Sequence, residues 1–119
     1  MNSETDIKLE VMEYLKLRNI PANRNQAGKI KIGARWINLG KSGWPDVIAV
    51  LPPHGIFLGI EVKKPGEELS GKQEKVKYDI EQARGIVIMV TSVEELAEKL
   101  KEIDTGEIQD LIYSKGEEI

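Results

Sequence analysis

The first stretch with a regular apolar rhythm sets Ile7, Val11, Met12 and Leu15 at helical spacing, opened by Ser3 and Asp6 in N-cap positions and running to about Arg18. Pro21 stops that helix, and residues 22–26 read as a short extended segment. Gly28 and Gly33 bracket a basic loop, followed by a weak strand over residues 34–39 and a glycine-bounded approach over residues 40–43. Residues 46–51 and 56–63 are runs of β-branched and apolar residues separated by Pro52-Pro53-His54-Gly55, a cluster that turns the chain. Lys64-Pro65-Gly66 ends the second run, since proline has no N–H for a ladder. Ser70 and Gln73 form a capping box for a helix reaching about Arg84, with Val76, Ile80 and Ala83 as its buried stripe and Gly85 as its stop. Residues 86–91 are continuously apolar, as in a buried parallel strand. Ser92 and Glu95 open a last helix that turns Val93, Leu96, Ala97, Leu100 and Ile103 inward. The order is helix, two or three antiparallel strands, helix, strand, helix, which predicts an α/β mixed sheet flanked by helices. A crossover helix over residues 70–84 makes the strand at 86 parallel to the strand at 56–63.

The hairpin carries the chemistry. With the four-residue turn at 52–55, Leu51 pairs with Ile56, and counting back places Asp46 opposite Glu61. Side chains alternate, so Glu61 and Lys63 share one face while Ile56, Leu58, Ile60 and Val62 share the other. Facing carboxylates with Cβ atoms about 5 Å apart repel, and a divalent cation between them removes the repulsion. Mg²⁺ suits such a site, because hard cations take oxygen ligands and are held by one or two carboxylates plus water and phosphate. The alternative is an Asp that starts a strand and a Glu-Lys pair on a solvated sheet face.

Charge sharpens this picture. The 119 residues suit one domain, with 40% hydrophobic and 31% charged residues and a net charge of −3. Residues 1–93 carry +3 and residues 94–119 carry −6, so the acid lies in the C-terminal part. Between residues 18 and 41 stand Arg18, Arg24, Lys29, Lys31, Arg35 and Lys41 and no acidic residue, a segment suited to a phosphate backbone or simply to solvent. Absence of cysteine excludes disulfides and thiolate metal sites and fits a reducing, cytoplasmic setting. No apolar run has membrane-spanning length, and no signal-peptide pattern opens the chain.

Three side chains outside the hairpin stand out. At 100° per residue Glu4 falls within about 20° of both Val11 and Leu15, at the centre of the first helix's apolar stripe, where it either reaches a site or stabilises the first turn. Of the two tryptophans, Trp36 is expected to pack on the core, and Trp44 is open between packing and nucleic-acid contact. His54 is assigned no catalytic role.

Pro45-Asp46 followed by Glu61-Val62-Lys63 resembles the PD-(D/E)xK nuclease signature. Arg24-Asn25, Gly28, Gly43-Trp44-Pro45-Asp46, Gly59-Ile60-Glu61-Val62-Lys63, Ser70 and Gln73 together resemble the VRR-NUC branch, in its small stand-alone phage and bacterial form. The resemblance implies a restriction-endonuclease-like αβββαβ core over residues 1–103, with 104–119 a short acidic tail. It implies a metal-dependent DNA endonuclease using Mg²⁺ or Mn²⁺, with Asp46, Glu61 and the Val62 carbonyl as ligands and Glu4 acting through water. Lys63 would orient water or stabilise the phosphate, and Gln73 would join the site. DNA would run over Arg24, Lys29, Lys31, Arg35, Lys41, Trp44 and Lys64. The resemblance also implies a homodimer that cuts branched DNA such as four-way junctions. A nicking, flap or restriction-type nuclease, or an inactive DNA-binding module, remains the alternative.

Overall fold

In the computed structural model, which describes residues 3–25, 28–39 and 42–104, helix α1 (Glu4–Leu17) starts at Ser3. The Ser3 hydroxyl accepts the Asp6 N–H and the Asp6 carboxylate accepts the Ser3 N–H, which satisfies two otherwise orphaned donors of the first turn. At the other end Ile20 N–H donates to Leu15 C=O and Asn19 N–H to Lys16 C=O, with Asn19 at φ 57°. That is a Schellman ending with asparagine in the left-handed position.

A four-stranded sheet in the order β1-β4-β5-β6 follows, made of β1 (Ala22–Arg24), β4 (Val47–Leu51), β5 (Ile56–Val62) and β6 (Ile86–Val90). The pairs β1–β4 and β4–β5 are antiparallel and β5–β6 is parallel, joined by α2 (Gly71–Gln82) as the crossover. Helix α3 (Val93–Asp104) closes the described chain. Ile7, Val11 and Leu15 of α1 meet Leu96, Leu100 and Ile103 of α3 over Val47, Ala49, Leu58, Ile60 and Val62. Each fully buried aliphatic side chain of this layer stabilises the fold by roughly 1.5–3 kcal/mol. The opposite face carries Phe57, Gly59 and Glu61 of β5, with Lys63 just past the strand's end, and on that side α2, whose Ile80 is buried, packs against β6. This is the mixed, helix-flanked sheet of the restriction-endonuclease-like fold.

Four expectations change. The basic loop is a strand, β2 (Gly28–Ile32), paired antiparallel with β3 (Arg35–Leu39) in a separate two-stranded ribbon. The third antiparallel strand of the main sheet is therefore β1, so the ribbon is an insertion between the first two strands of the core. Trp36 does not pack on the core: it is 65% exposed on the ribbon, because a two-stranded element has no second layer to cover it. Helix α2 ends at Gln82 rather than at about Arg84, and Ala83, expected in its buried stripe, is its exposed C-cap, with Arg84 in the left-handed position at φ 72°. Gly85 N–H still donates to Ile80 C=O, so it belongs to the same Schellman ending one residue further on. The acidic tail from residue 105 lies outside the described residues, as does Lys41.

Candidate active site

The β4–β5 ladder pairs Leu51 with Ile56 and Val47 with Ile60, so Asp46 stands opposite Glu61 one step past the last pair. Where the ladder stops, side chains take over its hydrogen bonds. Val62 N–H donates to Asp46 Oδ2 at 2.8 Å, and Asp46 N–H donates to Glu61 Oε1 at 3.2 Å. On the other side Asn25 N–H donates to Asp46 C=O at 2.8 Å, continuing the β1–β4 pairing. Asp46 is thus held through its main chain and its side chain by the strands on both sides.

The segment before Asp46 is positioned by close packing. A Cβ on Gly59 would lie 2.4 Å from Pro45 Cγ, so only glycine lets Pro45 rest on β5. Gly43 takes φ 83° and approaches α2 so closely that a Cβ would lie 2.7 Å from Lys72 Cγ and 3.2 Å from Val76 Cγ2. Between them Trp44 packs edge-on against Phe57, ring centroids 6.0 Å apart. The residues Gly43 to Asp46 and Gly59 to Glu61 are therefore two halves of one packed unit.

Glu61 is 1% exposed, the sole charged side chain among the described residues that is fully buried. Its pKa is pushed up to about 7, first by burial and then by the nearby charge of Asp46. The Asp46 N–H, Lys63 and Lys8 pull in the opposite direction. A buried carboxylate facing a second one has an unmet need for positive charge.

Part of that need is met by Lys8, which sequence reasoning missed. Its Nζ lies 3.5 Å from Asp46 Oδ1, both side chains about a quarter exposed or less. The signal was available, since on the helical wheel Lys8 falls about 20° from Leu15, as close to the apolar stripe as Glu4. Glu4 is half-buried one turn before Lys8, and its carboxylate makes no hydrogen bond or ion pair with another described residue. Lys63 is half-buried, its N–H donating to Val90 C=O, and its ammonium acts on Glu61. Gln73 completes its capping box, Oε1 accepting the Ser70 N–H at 2.8 Å, and both its hydrogen bonds lie within that cap.

The residues expected to meet nucleic acid divide into groups. Arg24 is half-buried on β1 beside the site, and Lys64 is exposed just past β5, lining a cleft with Ser3, Ile7, Thr91 and Ser92. Lys31 and Arg35 are exposed on the ribbon, which also carries Lys29 on β2. Trp44, by contrast, is engaged with Phe57 beneath the site.

The donor set suits a hard divalent cation. Among the described residues no three acidic, histidine or cysteine side chains cluster, but Asp46 and Glu61 converge with the Val62 main chain beside them. Two carboxylates, the rest of the shell being water and phosphate, is how Mg²⁺ is usually held.

A family model described as the VRR-NUC domain matches residues 7–95, from α1 through the start of α3. No curated protein and no solved structure matches the chain. The matched span contains Asp46, Glu61, Lys63 and the glycine-proline packing that sets them, and the chain belongs to the VRR-NUC domain family of the PD-(D/E)xK nuclease superfamily.

Proposed function

We propose that the chain is an Mg²⁺- or Mn²⁺-dependent endodeoxyribonuclease that hydrolyses phosphodiester bonds at the Asp46–Glu61 end of the β4–β5 hairpin. The observation that carries this reading is the buried Glu61 facing Asp46, its pKa raised to about 7, in a family of nucleases. Two facing carboxylates, one of them buried, repel and weaken the sheet unless a cation joins them.

Asp46, Glu61 and the Val62 carbonyl would hold the cation, with Glu4 reaching it through water. Bound there, a divalent cation neutralises phosphate charge and lowers the pKa of water. The chain's own groups do the rest. The Val62 N–H and the Asn25 N–H hold Asp46 in place, so that no reorganisation is needed when substrate arrives. Burial of Glu61 strengthens every charge interaction at the site. Lys63 presents its ammonium on the face of Glu61, where it orients the attacking water or takes charge from a phosphate oxygen. Gln73, at the first turn of α2, would support that face with its side-chain NH2, which the cap does not use.

DNA enters along Arg24, Lys29, Lys31, Arg35, Lys41 and Lys64, which contact phosphates and read no bases. Branched DNA, including four-way junctions, is the proposed substrate, and a homodimer supplies two sites related by a two-fold axis for paired cuts. The cysteine-free composition suits action in a cytoplasm, bacterial or phage-infected. Incubating the protein with linear, nicked, flap and four-way-junction DNAs in Mg²⁺, Mn²⁺ or EDTA tests all of this at once. Cleavage confined to the metal lanes and strongest on the junction is expected; equal cutting of every DNA removes the branch preference, and cutting in EDTA removes the metal.

A further inference from the structure

The β2–β3 ribbon presents two different faces, and neither is buried. Its register pairs Lys31 with Trp36, Ile30 with Ile37 and Ile32 with Arg35. Alternation then puts Lys31 and Trp36 on one face and Ile30, Ile32, Arg35 and Ile37 on the other. Trp36 is 65% exposed, and the Lys31 ammonium stands 5.9 Å from the centroid of its ring. An indole of this exposure forgoes most of the stabilisation that burial would give it, and nothing in the ribbon requires it for folding.

We propose that Trp36 is a stacking platform for unpaired bases, with Lys31, on the same face of the ribbon, binding the phosphate beside the stacked nucleotide. The inference rests on the reading of the chain as a DNA-acting enzyme and adds what the ribbon recognises.

Charge selects the partner. No acidic residue occurs between Arg18 and Pro45, so the ribbon's cations face an anion without internal competition. An aromatic ring interleaved with such cations is the arrangement that binds single strands: each base offers a π-face, and each phosphate a charge. Paired bases inside a duplex are stacked on both sides and offer only their edges, so the ring discriminates for bases left open at a gap, branch or end.

The chain path links this platform to the cutting site. Strand β2 begins three residues after Asn25, whose N–H is bonded to Asp46 C=O, and β3 leads back to Ser42, which accepts a hydrogen bond from Lys72 at the start of α2. Five residues of ribbon extend about 17 Å. The chain therefore joins the ribbon at both ends to segments beside the site, and a base held on it would keep the strand it belongs to within reach of Asp46 and Glu61.

The test measures binding without cleavage, using the full chain in EDTA with a fluorescent duplex and the same duplex carrying a short single-stranded gap. Wild type should prefer the gapped DNA. Trp36→Ala should lose about tenfold in affinity for gapped DNA and less than about twofold for intact duplex, the size expected when one base loses its stacking partner. Trp36→Phe should recover most of that loss, and unchanged circular dichroism melting should show that the exposed position does not affect folding. No loss, or an equal loss on both DNAs, overturns the inference. So does a change in sedimentation of Trp36→Ala without DNA, which would assign this face to a second copy of the chain. Cleavage of the gapped duplex and of a four-way junction in Mn²⁺ is followed in parallel: wild type that cuts neither, with the Trp36 effect present, sinks the nuclease reading alone. Normal cutting with no Trp36 effect sinks the stacking platform alone.

Discussion

Strands β4 and β5 bury Val47, Ala49, Leu58 and Ile60 completely, whereas β2 and β3 leave Ile32 and Trp36 more than half exposed. Both pairs are antiparallel, and each ladder pairs five residues with five. What separates them is the neighbours. The β4–β5 pair has β1 and β6 on its edges, α1 and α3 on one face and α2 on the other, so its geometry is set many times over. That excess of constraint allows Asp46 and Glu61 to be kept face to face despite their repulsion. Among the described residues the ribbon has only its own ladder, and its side chains are left exposed. On the proposed function, rigidity is placed where charge must be held, and exposure where a substrate would be touched.

The largest effects are expected on the rigid side, at the carboxylates. Asp46→Asn and Glu61→Gln should each abolish cleavage while leaving circular dichroism and the cooperative melt intact, and Lys63→Ala should slow turnover by more than about tenfold while sparing DNA affinity. Full activity in any of the three would separate the site from the hairpin end.

Stability should respond to pH in a direction set by Glu61. Its folded pKa of about 7 lies above the ordinary 4.5, so the folded chain holds the extra proton between those values. Stability of the metal-free protein should therefore be highest below about pH 4.5 as far as this group is concerned, and fall as pH rises to about 7 and just beyond, by on the order of 3 kcal/mol. Melting in EDTA at several pH values checks the sign. Glu61→Gln should flatten the curve, and Lys8→Met, which removes the ammonium beside Asp46, should steepen the loss at high pH.

Packing gives a smaller contrast between the two regions. Gly59→Ala drives a methyl group into Pro45 and is expected to cost about 1–3 kcal/mol and most of the activity. Ile32→Ser, on the ribbon at 57% exposure, should change the melting temperature little. Chemical denaturation of both variants measures the difference. Smallest of all is the effect of Lys31→Ala with Arg35→Ala: binding to every DNA should weaken alike, and the slope of log affinity against log salt should fall by up to about 0.9 for each phosphate no longer neutralised. An unchanged slope would move the DNA path off the ribbon.

Much of this arrangement is legible in the sequence because local rules agree with one another. The turn at Pro52 to Gly55 sets the register, and counting from it puts Asp46 against Glu61, as the ladder shows. Ser3 and Ser70 cap the helices whose starts they mark. Ser92 differs in one detail: its hydroxyl accepts the Glu95 N–H, but the Glu95 carboxylate reaches back to Thr91 N–H rather than to Ser92 itself. The parallel placement of β6 follows from the crossover rule.

What the sequence hides has a common cause, a partner that is not the core. Lys29-Ile30-Lys31-Ile32 alternates with period two, but its basic residues and flanking glycines mask a strand whose partner is its own neighbour in sequence. Trp36 reads as a core residue because tryptophan is usually well buried, whereas its position on a two-stranded insertion gives it nothing to pack on. Lys8 escapes notice because a lysine near an apolar stripe reads as solvent-facing until the carboxylate at the strand end is placed beside it.

Whether Asp46 and Glu61 together hold a divalent cation is decided by calorimetric titration of Mn²⁺ into the protein near pH 7. Because Glu61 is close to half-protonated there, binding should release protons, so the observed heat should vary with the ionisation enthalpy of the buffer, and Glu61→Gln should abolish both the binding and that variation. Binding of undiminished affinity to Glu61→Gln, or no binding to wild type, would remove the metal from this pair of carboxylates.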